Sequence, residues 1–319
     1  MNLKFQALML AAVVIVSAAI TNIDSAPAEE KIEKRAGAEI SATPNLSFER
    51  DSFFTARVAP QIVAEVRKAP ERNWSVLDPK VSAEAVIVQA LDENWPLFYL
   101  NTYKSWPLAS LTKLVTAVVV IESIGENKKI AIDEAAVATE GEAGNLKSGE
   151  VYTSRDLLKI MLLTSSNDAA AAFENHLGKE KFVQLMNEKL RELNMNQTVV
   201  YDASGLDDRN VSTASDILRL TKYILENEPQ IFNWTRVVSQ LVQPLNDVSS
   251  RTIININSLV NDPGFLGGKT GTSEKARQNA VAIFSSDRLK TVVVILGSRD
   301  RDREIAQLLE WAKVAYVFP

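Results

Sequence analysis

Ser110 and Lys113 lie one helical turn apart in the run Leu108-Ala-Ser-Leu-Thr-Lys-Leu. A serine hydroxyl is a weak nucleophile at neutral pH and needs an adjacent base. On a helix, residues i and i+3 share a face, so a helix opening at Ser110 turns Lys113 toward its hydroxyl. The Ser110 backbone N–H then points outward at a helix N-terminus, where an oxyanion could bind. Lysine serves as a base only when its pKa falls, and burial or a second cation nearby would lower it. Alone the pair is weak, because a serine at a helix start is also an ordinary cap.

Two further elements strengthen it. Ser165-Ser166-Asn167 sits between two expected helices, and Lys269-Thr270-Gly271 follows Gly267-Gly268 on an expected strand. Ser-x-x-Lys, a Ser-x-Asn element and Lys-Thr-Gly, in this order, form a three-part signature of serine acyl-transfer enzymes. Other nucleophile systems are poorly supplied. The chain has no cysteine and one histidine, His176, placed where a helix C-terminus favours His on charge grounds alone. A zinc site would have to rest on carboxylates and that single His, so no metal or other cofactor is expected. Arg277 is expected to be solvated rather than to reach a substrate carboxylate, and Trp106 to pack in the core rather than to rim a groove.

On these motifs the sequence resembles the penicillin-binding D-alanyl-D-alanine carboxypeptidases, the low-molecular-mass serine DD-peptidases. Trp106-Pro-Leu-Ala-Ser-Leu-Thr-Lys-Leu-Val-Thr-Ala is similar to the family's nucleophile segment. Gly149-Glu-Val-Tyr-Thr, Asp156-Leu-Leu and Met161-Leu-Leu-Thr-Ser-Ser-Asn-Asp-Ala-Ala are similar to its second segment. Phe182-Val-Gln-Leu-Met-Asn, Ala203-Ser-Gly-Leu-Asp, Ser212-Thr-Ala-Ser-Asp and Gly267-Gly-Lys-Thr-Gly-Thr-Ser complete the likeness, which runs over about residues 82–298. The resemblance implies a β-lactamase/penicillin-binding-like fold. It implies that Ser110 attacks the carbonyl between two terminal D-alanines of a peptidoglycan stem peptide while Lys113 takes its proton. Ser165 would relay that proton to the leaving amine, and Asn167 would hold the substrate amide and orient Lys113. Lys269 would draw the terminal carboxylate and help depress Lys113. Thr270 and Thr272 would bind that carboxylate, with the Thr272 N–H a second oxyanion donor, and Gly271 would let the strand approach closely. β-Lactam antibiotics are then expected as covalent inhibitors. The alternatives are a DD-endopeptidase on cross-links, a serine β-lactamase, or a non-catalytic penicillin-binding or wall-sensing domain. The commonest serine β-lactamases need Glu-x-x-Leu-Asn to activate water. The nearest run here, Leu190-Arg-Glu-Leu-Asn, has leucine where the glutamate belongs.

The elements that must position these residues can be read from pattern. Residues 85–91 and 96–100 read as strands around a turn at 92–94, and a helix is expected over 110–121. Thr153 with Asp156, and Thr213 with Asp216, form capping-box-like starts for two helices. Residues 168–176 read as helix with Gly178 as its stop, and 179–193 carries a helical apolar face. Strands return at 265–272, 279–284 and 291–296, and a helix over 303–316 closes the domain. The expected architecture is α/β in the α+β sense. One antiparallel sheet is built from both chain ends and flanked by helices, with a helical lobe inserted and the site in the crevice between lobe and sheet.

Residues 5–20 form an apolar run after Lys4, and Ala26-Pro27-Ala28 has the small-x-small form of a cleavage site. Residues 1–28 are therefore read as a signal peptide or N-terminal anchor, 29–77 as a flexible tether with a short helix over 53–66, and 78–319 as the catalytic domain. Extracytoplasmic localisation is expected, with any membrane attachment through the apolar run, since no C-terminal domain or membrane helix is evident. Across 319 residues, 35 Lys and Arg balance 40 Asp and Glu without a basic block, so no nucleic-acid partner is expected.

Overall fold

The computed structural model describes residues 68–141, 144–286 and 289–318. The expected export segment, cleavage site, helix over 53–66 and most of the tether lie outside them. Five strands form the main sheet: β1 (Ala85–Ala90), β2 (Pro96–Leu100), β3 (Phe265–Ser273), β4 (Arg277–Ser285) and β5 (Lys290–Ser298), in the order β3-β4-β5-β1-β2. Every pairing is antiparallel, and β5 joins the two chain ends through pairs such as Val293↔Val88. The sheet thus has the two-ended construction read from the sequence.

All six residues of β1 and eight of the nine in β5 are buried, because helices cover both faces. Side-chain alternation sorts them into two cores. Ile87, Val281, Ile283, Val292 and Val294 face the inserted lobe. Val86, Val88, Ala280, Ala282, Val293 and Ile295 face the closing helix, with Ile305, Leu308 and Trp311.

The lobe between β2 and β3 contains α1 (Thr112–Val119), α2 (Ser154–Leu163), α3 (Asn167–Leu177), α4 (Lys179–Glu192) and α5 (Ala214–Asn227); α6 (Arg301–Ala315) closes the domain. Caps set the starts. The Thr153 and Thr213 hydroxyls accept from the N–H groups of Asp156 and Asp216, as their spacing suggests. Gly178 ends α3 at φ +86°, in the region that favours glycine. Residues 68–77, on the tether side of the expected boundary, carry a short strand, Glu71–Arg72, paired with Tyr316–Val317. Arg72 lies over the rings of Trp74, Trp311 and Tyr316.

Every residue of α1 is buried, Lys113 included. A helix apolar on all sides belongs in a protein interior. The sequence Thr-Lys-Leu-Val-Thr-Ala-Val-Val therefore forces one amine into the core, and that placement is the root of the site's chemistry. Among the described residues, no helix is long and apolar enough to cross a membrane.

Candidate active site

The expected helix over 110–121 divides. Ala109–Leu111 forms a 3-10 turn ahead of α1, with Ser110 at its centre. The turn runs straight into α1, so Ser110 lies one turn ahead of Lys113 on the same face. Lys113 Nζ donates to Ser110 Oγ at 3.0 Å, to Asn167 Oδ1 at 2.7 Å and to the Ser204 carbonyl at 2.6 Å. Ser110, Ser165 and Asn167 are half-buried, so solvent reaches the hydroxyls while the amine lies beneath.

Ser166, rather than Asn167 or Asp168, caps α3, accepting from the Ala169 N–H at 3.1 Å. Its neighbours are thereby free to face the groove. Asn167 Nδ2 donates to the Glu140 carbonyl at 2.8 Å, fixing the amide with its oxygen toward Lys113. Ser165 Oγ accepts from Lys269 Nζ at 2.9 Å, tying the lobe to β3. Ala109 and Ser165 hold φ of +47° and +59°. Left-handed backbone at residues bearing a β-carbon marks strain beside Ser110 and at Ser165 itself.

Burial pulls Lys113 down to about 7 from the ordinary 10.5, against the Asp202 carboxylate, which raises it. Lys269 is also depressed well below the usual lysine range, by burial first and then by the charges of Lys113 and Arg301. Burial comes first for both amines, and the repulsion between them acts in the same downward direction. A ligand carboxylate arriving at Lys269 would push its pKa back up.

β3 is an edge strand, so one side of its backbone is open to pair with an extended ligand. Gly271 makes the close approach. A β-carbon there would stand 2.9 Å from the Leu108 carbonyl and 3.0 Å from the Ser110 nitrogen. Gly271→Ala should push the Ser110 turn away and, with Ser110 as the proposed nucleophile, lower the acylation rate about 100-fold, the scale of a misplacement near 1 Å. Stopped-flow acylation beside a thermal melt checks this, and an unchanged rate would show that the approach is not needed. Thr270 is buried on the same strand and Thr272 is exposed.

Several residues outside the expected set hold the site together. Asp202 Oδ1 accepts from the Ser204 N–H, the Ser204 hydroxyl and the Gly205 N–H at 2.6–2.8 Å, and Oδ2 accepts from the Asp207 N–H at 2.6 Å. This shapes the loop that presents the Ser204 carbonyl to Lys113. Gly205, at φ +88°, fits because a β-carbon would lie 1.9 Å from the Ala109 carbonyl. Asn279 Nδ2 donates to the Pro107 and Leu108 carbonyls at 2.8 and 3.1 Å, fastening the Ser110 turn to β4. Arg301 Nη1 donates to Thr272 Oγ1 at 2.7 Å and to the Gly271 carbonyl at 3.2 Å. The Ala203-Ser-Gly-Leu-Asp run marks this loop in the sequence, whereas the adjoining Asp202 lies outside that motif.

The remaining candidates lie elsewhere. His176 is exposed in the last turn of α3. Arg277 is engaged rather than solvated, bonding Glu84 Oε1 at 2.9 Å and lying over the Trp106 ring. Trp106 is half-buried and donates to the Ala276 carbonyl at 2.9 Å. Among the described residues, no group of three or more His, Cys, Asp or Glu could hold a metal ion.

A sequence profile described as D-alanyl-D-alanine carboxypeptidase matches residues 72–300, which include all three motifs. The chain is 26% identical to D-alanyl-D-alanine carboxypeptidase DacF of Bacillus subtilis (strain 168), over 73% of this chain and 63% of that protein, slightly under two thirds of its length. It is 27% identical to a D-alanyl-D-alanine endopeptidase of Pseudomonas aeruginosa PAO1, over 83% of this chain and 87% of that one. A solved D-alanyl-D-alanine carboxypeptidase from Mycobacterium tuberculosis H37Rv superposes with a TM-score of 0.70 at 28% identity, over 76% of this chain and 96% of the other.

Proposed function

The chain belongs to the D-alanyl-D-alanine carboxypeptidase family, a family of serine hydrolases, and from that premise we propose that it removes the terminal D-alanine from peptidoglycan stem peptides through an acyl-enzyme on Ser110. The observation that carries this reading is the 3.0 Å bond between Ser110 Oγ and a wholly buried Lys113 whose pKa is held at about 7. At neutral pH a substantial fraction of Lys113 is a free amine. It takes the Ser110 proton as Oγ attacks the carbonyl of the penultimate D-alanine.

The oxyanion is received by the Ser110 and Thr272 backbone N–H groups, where the Gly271 approach brings β3 against the turn. Thr270, Thr272, Lys269 and Arg301 receive the terminal carboxylate, whose charge re-stabilises protonated Lys269. Ser165, bonded to Lys269, relays to the amine the proton that Lys113 took from Ser110 as the C–N bond breaks and D-alanine leaves, so Lys113 is again a free amine. Asn167 keeps Lys113 aimed and binds the substrate amide. Water then attacks the ester, and Lys113 receives and returns the proton. No step calls for a metal.

Action outside the cytoplasm accords with a family that works on cell-wall peptides. We read export as directed by residues 1–28, with attachment, if the run is retained, through residues 5–20.

The test is D-alanine release from a pentapeptide ending in D-Ala-D-Ala, run beside a cross-linked peptide dimer. Release from the pentapeptide supports the carboxypeptidase. Faster cleavage of the dimer favours the endopeptidase alternative, for which the P. aeruginosa relative is the specific observation. No cleavage of either substrate leaves the wall-sensing reading.

Efficient β-lactamase action is not expected. Leu190 is buried in α4 and supplies no carboxylate. The two buried carboxylates around the Ser204 loop are engaged: Asp202 by the loop itself, and Glu174 by the Ala203 N–H at 2.9 Å. Benzylpenicillin turnover should therefore stay below about one per second, under the usual enzyme range. Steady-state hydrolysis monitored by absorbance checks this, and faster turnover would argue for a β-lactamase.

A further inference from the structure

The backbone of residues 202–205 is tied to buried side chains group by group. The Asp202 carbonyl accepts from Asn210 Nδ2 at 3.2 Å. The Ala203 N–H donates to Glu174 Oε2 at 2.9 Å, and the Ala203 carbonyl accepts from Thr116 Oγ1 at 2.6 Å. The Ser204 and Gly205 N–H groups both donate to Asp202 Oδ1. Thr116 lies three residues beyond Lys113 on α1, so the Ala203 and Ser204 carbonyls meet the same helix about one turn apart. The Ser204 carbonyl is thereby held on Lys113 Nζ at 2.6 Å.

A free lysine amine has two N–H bonds and one lone pair, whereas a carbonyl oxygen only accepts. The Asn167 amide keeps its oxygen toward Lys113 because its nitrogen donates to the Glu140 carbonyl. Asn167 Oδ1 and the Ser204 carbonyl therefore take both N–H bonds of the free amine. The lone pair is left facing Ser110 Oγ at 3.0 Å, and the hydroxyl must donate to it. Without the Ser204 carbonyl, the amine is free to turn about its Cε–Nζ bond and carry the lone pair off the nucleophile.

We propose that Asp202 is a positioning residue for the general base: by shaping the turn it keeps the Ser204 carbonyl on one N–H of Lys113, and so keeps the lone pair on Ser110. It touches neither substrate nor reacting atoms. The inference rests on the carboxypeptidase reading above. The charge of Asp202 has a second effect, because that carboxylate raises Lys113 against the pull of burial. Lys269 on β3 acts in the opposite sense. Glu174 on α3 faces Asp202 and lies 3.5 Å from Lys179 of α4, and Asp207 is forked by Arg209. Removing the Asp202 charge lowers Lys113 further, whereas a residue that only shaped the turn would leave it alone.

The experiment measures kcat and KM for D-alanine release from a pentapeptide ending in D-Ala-D-Ala, from about pH 5 to 9, beside thermal melts. The proteins are the wild type, Asp202→Asn, Asp202→Glu and Glu174→Gln. Asparagine cannot accept from both the Ser204–Gly205 side and the Asp207 N–H, so the turn loosens. Its kcat should fall about 100-fold, the scale of a misplaced group. KM should change little, since the carboxylate-binding residues of β3 are untouched. The acid limb of its kcat/KM profile should move about one unit toward lower pH. Asp202→Glu keeps the charge on a longer arm, so kcat should fall with the limb in place. Glu174→Gln keeps an acceptor for the Ala203 N–H, and its limb should also stay. An Asp202→Asn protein with unchanged kcat or an unmoved limb would overturn the inference alone. So would an equal limb shift in Glu174→Gln, or loss of the fold in both Asp202 variants, which would make the residue purely structural. A wild type that releases no D-alanine would overturn the carboxypeptidase reading and the inference with it.

Discussion

Ser110→Ala should abolish D-alanine release, with kcat/KM falling on the order of 10⁵–10⁶-fold, the loss seen when a serine nucleophile is removed from a site that acts as a unit. The fold should persist. Ser110 Oγ is engaged by Lys113, which keeps two further acceptors in Asn167 and the Ser204 carbonyl. Loss of one such hydrogen bond costs about 1 kcal/mol, so a thermal melt should move little. A variant that retained release would place the nucleophile elsewhere. A variant that unfolded would show that the 3-10 turn depends on the hydroxyl, and Ser110→Cys, which keeps a polar atom there, would then separate the two roles.

Lys113→Met should lower acylation about 10³–10⁴-fold, the usual contribution of a positioned base. Methionine keeps the length of the side chain, which limits the cavity left in α1. The pH profile carries the sharper test. Burial holds Lys113 at about 7. Below that pH the ammonium form dominates and cannot accept the Ser110 proton, so kcat/KM for the wild type should fall about tenfold per unit on the acid side and level off above it. Lys113→Met should lose this limb. A wild-type profile flat from pH 5 to 9 would argue against a lysine base. The same depression bears on stability. Between about 7 and 10.5 the unfolded lysine binds a proton that the folded one releases, so this group's contribution to stability rises with pH across that window and is lost toward its lower end.

The chemistry was legible wherever it resides in side-chain identity at fixed spacing. Ser110 and Lys113 share a turn, and the Ser165 and Lys269 motifs fall on opposite walls of one groove. The apolar run 85–88 marked a strand, but its division into two cores, with Ile87 and Val88 on opposite faces of β1, is visible only in the fold. What escaped is what depends on backbone or on the folded surroundings. The third acceptor of Lys113 is the Ser204 carbonyl, a group every residue has, and only the Asp202 turn aims it. The reason for the lowered Lys113 pKa is the burial of α1 on every side, which no motif records. Arg301 was missed because the closing helix was expected to begin at residue 303. Asp300-Arg-Asp-Arg reads as a charged linker, yet the Asp300 side chain caps the helix by accepting from the Arg303 N–H. The helix start moves back to Arg301, and that guanidinium meets Thr272. Ser166 as the cap of α3 was similarly hidden, since Ser165, Ser166, Asn167 and Asp168 are all competent caps by type. Arg277 is likewise set by its partner Glu84, whereas Trp106 packs against the core as expected and adds a bond to the Ala276 carbonyl.

The central claim is a covalent ester on Ser110. Incubation with benzylpenicillin, followed by proteolysis and tandem mass spectrometry, tests it most directly. The penicilloyl group should be found on the peptide containing Leu108-Ala-Ser-Leu-Thr, with the fragment series assigning it to Ser110. Unmodified Ser110, or an adduct confined to another residue, would contradict the account.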